Sequence, residues 1–199
     1  MVAQPNATGG EDQPREKSLT SGVDWDRYRS YLHLIARANL GTVIQKKVDA
    51  SDVVQQTLMY AYEKQDDFRG DNESKKLAWL KQILRSKIID FARHFNAARR
   101  DAKRELEIEK SVNESFARAE DWLAASQTSP SLHAEKQEQL LQLPNALELL
   151  PDELSDVIVM HHIQGMKLRE IADEIGCNET TVGRRLMRGL KQLKEAMRE

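Results

Sequence analysis

Apolar residues recur at helical spacing in the last part of the chain. The first set follows the i, i+3, i+4, i+7 rule of a helix that buries one face, and its members are Leu168, Ile171, Ala172 and Ile175. Gly176 suits the left-handed exit of that helix, and Asn178 is a strong N-cap for a second one. The second helix carries on one face Val182, Leu186, Leu190, Leu193 and Met197. Two helices joined by so short a turn predict a helix-turn-helix.

The same spacing predicts three helices in the first half of the chain. One begins near Asp24, the next follows Asp49, and the third starts near Ser74 and runs past Arg93. Either Asp49 or Ser51 can cap the second helix by accepting hydrogen bonds from backbone N–H groups that have no partner within the helix. The segment between the second and third helices, residues 68–72, is predicted to be a loop because it centres on a glycine among polar residues.

Composition supports an all-α fold and narrows the setting. The chain has nine Gly and five Pro, and none of them lies between Gly70 and Pro130; a β-sandwich or βαβ fold needs turn residues far more often. No apolar run is long enough to span a membrane, and the polar first residues lack the apolar core of a secretory signal. Cys177 is the single cysteine, which excludes an internal disulfide framework. We therefore expect a soluble, cytoplasmic protein.

Charge divides the chain into four parts. Residues 1–22 are polar and are predicted to be a disordered tail. Residues 105–140 hold eight acidic and three basic residues, a net charge of −5, and are predicted to be an acidic linker whose apolar positions form an amphipathic helix: Leu106, Val112, Phe116 and Leu123. Two small helical domains flank it, one over residues 23–104 and a helix-turn-helix domain over residues 141–199.

The second helix of the helix-turn-helix has a basic outer face. Five bases and one acid lie between Glu179 and Lys194, and helical geometry places Thr180, Arg184, Arg188 and Lys191 opposite the apolar face. Such a helix enters the DNA major groove, where its N-terminal residues Thr180, Thr181 and Arg184 can reach base edges. Arg185 lies nearer the core boundary and is expected to contact a phosphate.

A second basic stretch lies in the predicted third helix. Ten bases and two acids occupy residues 75–104, a net charge of +8, which is an electrostatic footprint for nucleic acid. The polar residues opposite its apolar face are Lys81, Arg85, Arg93, Asn96, Arg99 and Arg100. Nearby aromatic residues could stack on exposed bases, although we expect Phe91 and Phe95 to belong to the core.

These segments, in this order, resemble the sigma-70 family of bacterial transcription initiation factors, and in particular its extracytoplasmic-function (ECF) group. Residues 49–63 resemble the helix that binds core RNA polymerase. Residues 68–70, followed by Trp79-Leu80 and the basic run, resemble the segment that melts the promoter and recognises its −10 element. Residues 149–158 and 168–182 resemble region 4, which binds the −35 element.

The resemblance implies partners and site residues. Core polymerase would be bound by Asp49, Asp52, Val53, Gln55 and Gln56. The loop would hold an unpaired base, so that −10 DNA would be bound by Phe68, Arg69 and Asn72 together with Asn96 and the basic residues Lys81, Arg85, Arg93, Arg99 and Arg100. The −35 element would be bound by Asn178, Glu179, Thr180, Thr181, Arg184, Arg185, Arg188 and Lys191. The acidic linker would thread toward the RNA path as a nucleic-acid mimic. Members of the family are commonly held by an anti-sigma factor, although no residue indicates one here.

Two other classes of protein remain open at this point. A dimeric helix-turn-helix regulator would bind duplex DNA without core polymerase, and a sigma-like decoy would bind polymerase without opening a promoter. No enzyme or cofactor motif is present. We expect no metal site either, because no two of the five histidines are spaced three or four residues apart on one helical face.

Overall fold

The computed structural model describes residues 23–40, 49–95, 102–125 and 133–198. The predicted tail, residues 1–22, lies outside these ranges. The described residues contain α-helices and no strand, which confirms the all-α prediction. The helices are α1 (Arg29–Asn39), α2 (Ala50–Glu63), α3 (Glu73–Phe95), α4 (Ala102–Ala125), α5 (His133–Glu148), α6 (Asp152–Ile158), α7 (Leu168–Ile175) and α8 (Glu179–Ala196). None of these helices is long and apolar enough to cross a membrane.

The helices α1, α2 and α3 pack on one another and form the first part of the core. Side-chain caps fix where two of them begin. The carboxylate of Asp49 accepts a hydrogen bond from the backbone N–H of Ser51 at the start of α2, and the amide oxygen of Asn72 accepts one from Lys75 at the start of α3. The cap at Asn72 fixes the point at which the loop at residues 68–72 enters α3.

The last part of the chain packs α6 and α7 against α8. A π-helical segment, Val159–Ile163, continues α6. Gly165 follows it with a φ of +77°, a backbone conformation that favours glycine. Gly189 is buried on α8, and a side chain there would press on Ile158 and Leu154 of α6. The absence of a side chain at Gly189 therefore allows α6 and α8 to approach each other closely.

The predicted acidic linker is largely helical, because it contains α4 and the first half of α5. Four apolar residues of α4 are buried with the rest of the core: Val112, Phe116, Ala119 and Leu123. Leu106 does not join this stripe, since 66 % of its surface is exposed. The helix α4 packs against both α1 and α3 of the first part of the core.

The same helix also contacts the π-helical segment of the last part of the chain. Arg118 donates a hydrogen bond from Nε to the carbonyl oxygen of Ile163 at 3.0 Å. Trp122 stacks face to face on His162 with a centroid distance of 4.3 Å. Burial, with a smaller contribution from His161, lowers the pKa of His162 to about 4, so its ring is neutral near pH 7. The helix α4 thus contacts both the first part of the core and the last part of the chain.

Candidate nucleic-acid interface

The helix-turn-helix is built as its sequence predicts. Gly176 ends α7 in the left-handed conformation, with a φ of +68°. Asn178 has extended backbone, and its side-chain oxygen accepts a hydrogen bond from the backbone N–H of Thr181 at 2.8 Å. This cap uses the side chain of Asn178, so its role is to fix the first turn of α8 and thereby the direction in which the helix points.

The two sides of α8 differ sharply in exposure and composition. Its inner side is buried: Val182, Leu186, Gly189 and Leu193. Its outer side is exposed: Thr180, Arg184, Met187, Arg188 and Lys191. Glu179, at the start of the helix, is also exposed. The outer side therefore presents three cations, a hydroxyl and a thioether to solvent, and a helix of this kind fits the major groove of DNA.

Two predicted residues of α8 have partners inside the protein. The guanidinium of Arg185 forms an ion pair with Glu153 of α6 at 2.9 Å, as expected for a residue near the core boundary. Thr181 is half-buried, and its hydroxyl oxygen lies 3.4 Å from an Nη of Arg184. Met187, with 70 % of its surface exposed, is absent from the predicted set. Its position seven residues after Thr180 places it on the same face. It carries no charge, and the predicted set was chosen by charge and polarity.

The basic residues of α3 are covered by the acidic residues of α4. Arg93 forms two hydrogen bonds of 2.8 Å with the carboxylate of Glu105. Arg85 forms an ion pair with Glu109 at 3.0 Å. Lys81 is paired with Glu120, and its ammonium also lies 5.0 Å from the centre of the Phe116 ring. Every described cation that sequence analysis placed on this side of α3 thus has an acidic partner on α4.

The loop before α3 is held from within by aromatic contacts. The Phe68 ring lies 5.6 Å from Trp25 and 5.2 Å from Trp79. Arg69 is exposed, and Asn72 caps α3. Phe68 is therefore part of an aromatic cluster, while Arg69 is the residue of the predicted set here that is free to meet a ligand. Asn96, Arg99 and Arg100 lie outside the described residues.

The exposed side of α2 carries most of the residues predicted to bind polymerase. Asp52, Gln55 and Gln56 are exposed, and Asp49 serves as the cap of the helix. Val53 needs a correction, because the structure buries it completely. A side chain with no exposed surface packs in the core and cannot contact another protein.

Sequence analysis also missed two large apolar residues on α2. Met59 and Tyr60 are exposed by 53 % and 40 % respectively. The ring of Tyr60 lies 5.3 Å from the ammonium of Lys87 on α3. Exposed apolar side chains of this size mark interaction surfaces when they adjoin polar ones, and in the sequence they look like ordinary members of an amphipathic helix.

Comparison with known families now decides what these surfaces belong to. The family model for sigma-70 region 2 matches residues 26–105. The family model for sigma-70 region 4 matches residues 140–193. Together they cover well over half of the chain, in the order that the family requires. The chain belongs to the sigma-70 family. A dimeric regulator with an unrelated first half is not favoured, since the first half also matches a sigma region.

The chain is also similar to individual sigma factors of the ECF group. It is 28 % identical over 141 residues to the ECF RNA polymerase sigma-E factors of Salmonella typhimurium and Salmonella typhi, covering 70 % of this chain and 69 % of those proteins. A solved structure of the sigma factor RpoE with the anti-sigma factor NepR from Bartonella quintana shares 24 % identity and a TM-score of 0.32, covering 85 % of this chain and 91 % of that one. Because it contains sigma-70 regions 2 and 4, the protein is a transcription initiation factor that works with core RNA polymerase and promoter DNA.

Proposed function

We propose that this sigma factor divides initiation among three surfaces. The outer face of α8 reads the −35 duplex, the basic side of α3 with the preceding loop takes the −10 strand, and the exposed side of α2 binds core polymerase. The observation that supports this division best is that the cations on the outer face of α8 lack acidic partners. Within the described residues, Arg188 and Lys191 form no ion pair, and Arg184 contacts only Thr181. Such cations are available to phosphates and base edges.

The chemistry of α8 suggests how it reads the −35 duplex. Arg184 lies one turn from the start of the helix, where it can form two hydrogen bonds to O6 and N7 of a guanine. Arg188 and Lys191 lie farther along and suit phosphate contacts, which position the protein without reading sequence. The exposed thioether of Met187 suits contact with a thymine methyl group. Arg185, held by Glu153, is left with a minor role at a phosphate.

The proposed polymerase surface consists of Asp52, Gln55 and Gln56 with the neighbouring Met59 and Tyr60. Polar residues beside exposed apolar ones are typical of a protein interface with an apolar centre and a polar rim. Asp49 supports this surface by capping α2.

Binding both promoter elements at once requires residues 23–104 and residues 141–199 to separate. The −10 and −35 elements are named for positions 25 base pairs apart, which is about 85 Å of straight duplex. In the structure these two parts are in contact, since Arg37 of α1 pairs with Asp156 of α6 at 2.8 Å. A domain of 80 residues has a radius of gyration of about 12 Å, so two such domains in contact span only about 60 Å. We propose that residues 23–104 and 141–199 act as separate domains on the promoter.

Three further expectations complete the proposal. The chain supplies no catalytic group and needs no cofactor, because the chemistry of transcription belongs to the polymerase. It works in the cytoplasm, where the polymerase is. An anti-sigma factor is a further partner that the similarity to ECF sigma factors suggests.

The first test is co-elution with bacterial core RNA polymerase on gel filtration at physiological salt. We expect a stoichiometric complex, which Asp52→Lys should weaken. Asp66→Lys is the matched control, because Asp66 is exposed but lies beyond the end of α2. The absence of a complex with the wild-type chain would refute the proposal and favour a DNA-binding regulator.

Promoter opening is measured next, as the permanganate reactivity of unpaired thymines at the −10 position. We expect the wild-type holoenzyme to open promoters carrying its −35 element. A stoichiometric complex that opens none, on a promoter set selected for binding by the holoenzyme, would identify the chain as a decoy.

A further inference from the structure

The acidic residues of α4 that meet α3 lie along the described part of its basic side. Arg93, near the end of α3, meets Glu105 near the start of α4, whereas Lys81, nearer the start of α3, meets Glu120. The two helices therefore run antiparallel. Arg85 and Glu109 lie between these pairs. Lys81 and Arg93 are twelve residues apart, which corresponds to about 18 Å of helix, so carboxylates pair with cations along this length of α3.

We propose that α4 is an internal competitor of DNA, which occupies the −10 binding side of α3 in the free protein and must leave it before the strand can bind. The proposal rests on the proposed function of α3. Carboxylates and phosphates are both acceptors for the same guanidinium and ammonium donors. A cation that donates its N–H to Glu105 at 2.8 Å, or that is paired with Glu109 at 3.0 Å, cannot offer the same N–H to a phosphate.

The pairing is selective, which separates it from a general attraction between an acidic and a basic helix. Within the described residues, Glu107 and Asp121 of α4 are exposed and form no ion pair. Likewise Arg188 and Lys191 of α8 have no acidic partner there, although α8 is also basic. The acids of α4 that pair with α3 thus meet it on the side to which the −10 strand is assigned.

The remaining contacts of α4 suggest how it is released. Phe116 packs near Tyr31 of α1, with ring centroids 5.9 Å apart, while Arg118 and Trp122 hold the π-helical segment at the other end of the molecule. Because α4 contacts both ends, it cannot keep both sets of contacts once the ends separate to reach the two promoter elements. Separation on polymerase would therefore break one of the two sets, and under this proposal the contacts given up are those on α3, which uncovers it at the step at which the −10 strand arrives.

The test compares two variants of the full chain that each lose two negative charges from α4. Glu109→Gln with Glu120→Gln removes partners of α3. Glu107→Gln with Asp121→Asn removes exposed acids that have none. Both pairs are placed in a background with Arg184→Ala and Arg188→Ala, which suppresses binding by α8. The probe is a labelled single-stranded DNA of mixed sequence and about 12 nucleotides, within the usual site size of such grooves, because phosphate contacts do not depend on sequence.

We expect the first variant to bind the probe about two- to thirtyfold more tightly than its background, since each exposed ion pair that no longer competes is worth about 0.2–1 kcal/mol. The control variant should change affinity by less than about twofold, as its lost charges act only through screened, long-range attraction. Equal tightening by both variants would mean that net charge alone matters, and it would overturn the proposal, as would no change in either. Circular dichroism confirms that both variants remain folded.

Hydrogen exchange gives an independent readout on the wild-type chain. Saturating probe should reduce the protection of the α4 amides and leave those of α2 unchanged. Unchanged protection of α4 with the probe bound would overturn the proposal. These measurements use the free protein, so they are distinguishable from a failure of the proposed function, which would show as a holoenzyme that does not form or does not open promoters.

Discussion

Two glycines of α8 allow one prediction to be worked out in detail. A Cβ added at Gly183 would meet no heavy atom within 4 Å. A Cβ added at Gly189 would lie 2.9 Å from Cδ1 of Ile158 and 3.3 Å from Cβ of Leu154. The two positions therefore separate the conformational cost of glycine from its packing role within a single helix.

We expect Gly183→Ala to stabilise the protein by about 1 kcal/mol, because glycine in a helix interior is less favourable than alanine by roughly that amount. Gly189→Ala should lose this gain, since an extra methyl group in a packed interface costs about 1–3 kcal/mol. The free energies of unfolding of the two variants should thus differ by about 1–3 kcal/mol. In a chain of this length each kcal/mol shifts Tm by about 2–4 °C.

The measurement is urea unfolding followed by far-ultraviolet circular dichroism, with Tm as a second readout. Equal m values would show that the variants unfold over the same surface. A destabilised Gly183→Ala would refute the reasoning about open space at that position. A Gly189→Ala variant as stable as Gly183→Ala would show that Ile158 yields without cost and that α6 does not need the glycine.

Three further predictions concern single side chains. Arg184→Ala with Arg188→Ala should weaken −35 duplex binding and lower the slope of log K against log salt by about 0.9, because Arg188 is assigned to a phosphate and Arg184 to a base edge; unchanged binding with an unchanged slope would remove both from the interface. When −35 thymines are replaced one at a time by deoxyuridine, the wild-type chain should lose affinity by about fourfold at one position, which corresponds to one buried methyl group. Met187→Ala should lose no affinity at that position. Equal losses for both proteins would show that Met187 does not contact the methyl group. The pKa of His162 is lowered to about 4 from an ordinary 6.5. Between these pH values the unfolded chain binds a proton at this residue and the folded chain does not, so stability should fall as pH drops from 6.5 to 4. His162→Phe keeps a ring against Trp122 and should reduce that fall; an identical pH profile would exclude His162 as its source.

The parts of the fold that were predictable are those set by neighbouring residues. The turn of the helix-turn-helix depends on Gly176 and Asn178, whose conformational preferences act within a few residues. The cap at Asp49 and the buried side of α8 follow from equally local patterns. Each of these features is determined within about one or two turns of helix, and the structure shows them as the sequence predicts.

The parts that were not predictable depend on residues far apart in the chain. The net charges of the third helix and of the linker were evident, but not that Lys81 meets Glu120, 39 residues away. The stack of Trp122 on His162 is of the same kind. Val53 was assigned to a surface by family resemblance, and only the packing of α2 against two other helices shows that this side of the helix is enclosed.

The stack of Trp122 on His162 also gives the molecule an optical probe of its own. The chain has three tryptophans, and the other two, Trp25 and Trp79, lie together in the first part of the core with ring centroids 5.2 Å apart. Trp122 alone lies where α4 meets the second half, and the emission of an indole changes when a ring stacked on it is withdrawn. With Trp25 and Trp79 replaced by phenylalanine, the wavelength and intensity of the remaining tryptophan emission would report whether α4 and the second half stay in contact. This could be recorded in real time, in an unlabelled protein, while polymerase and promoter are added in turn.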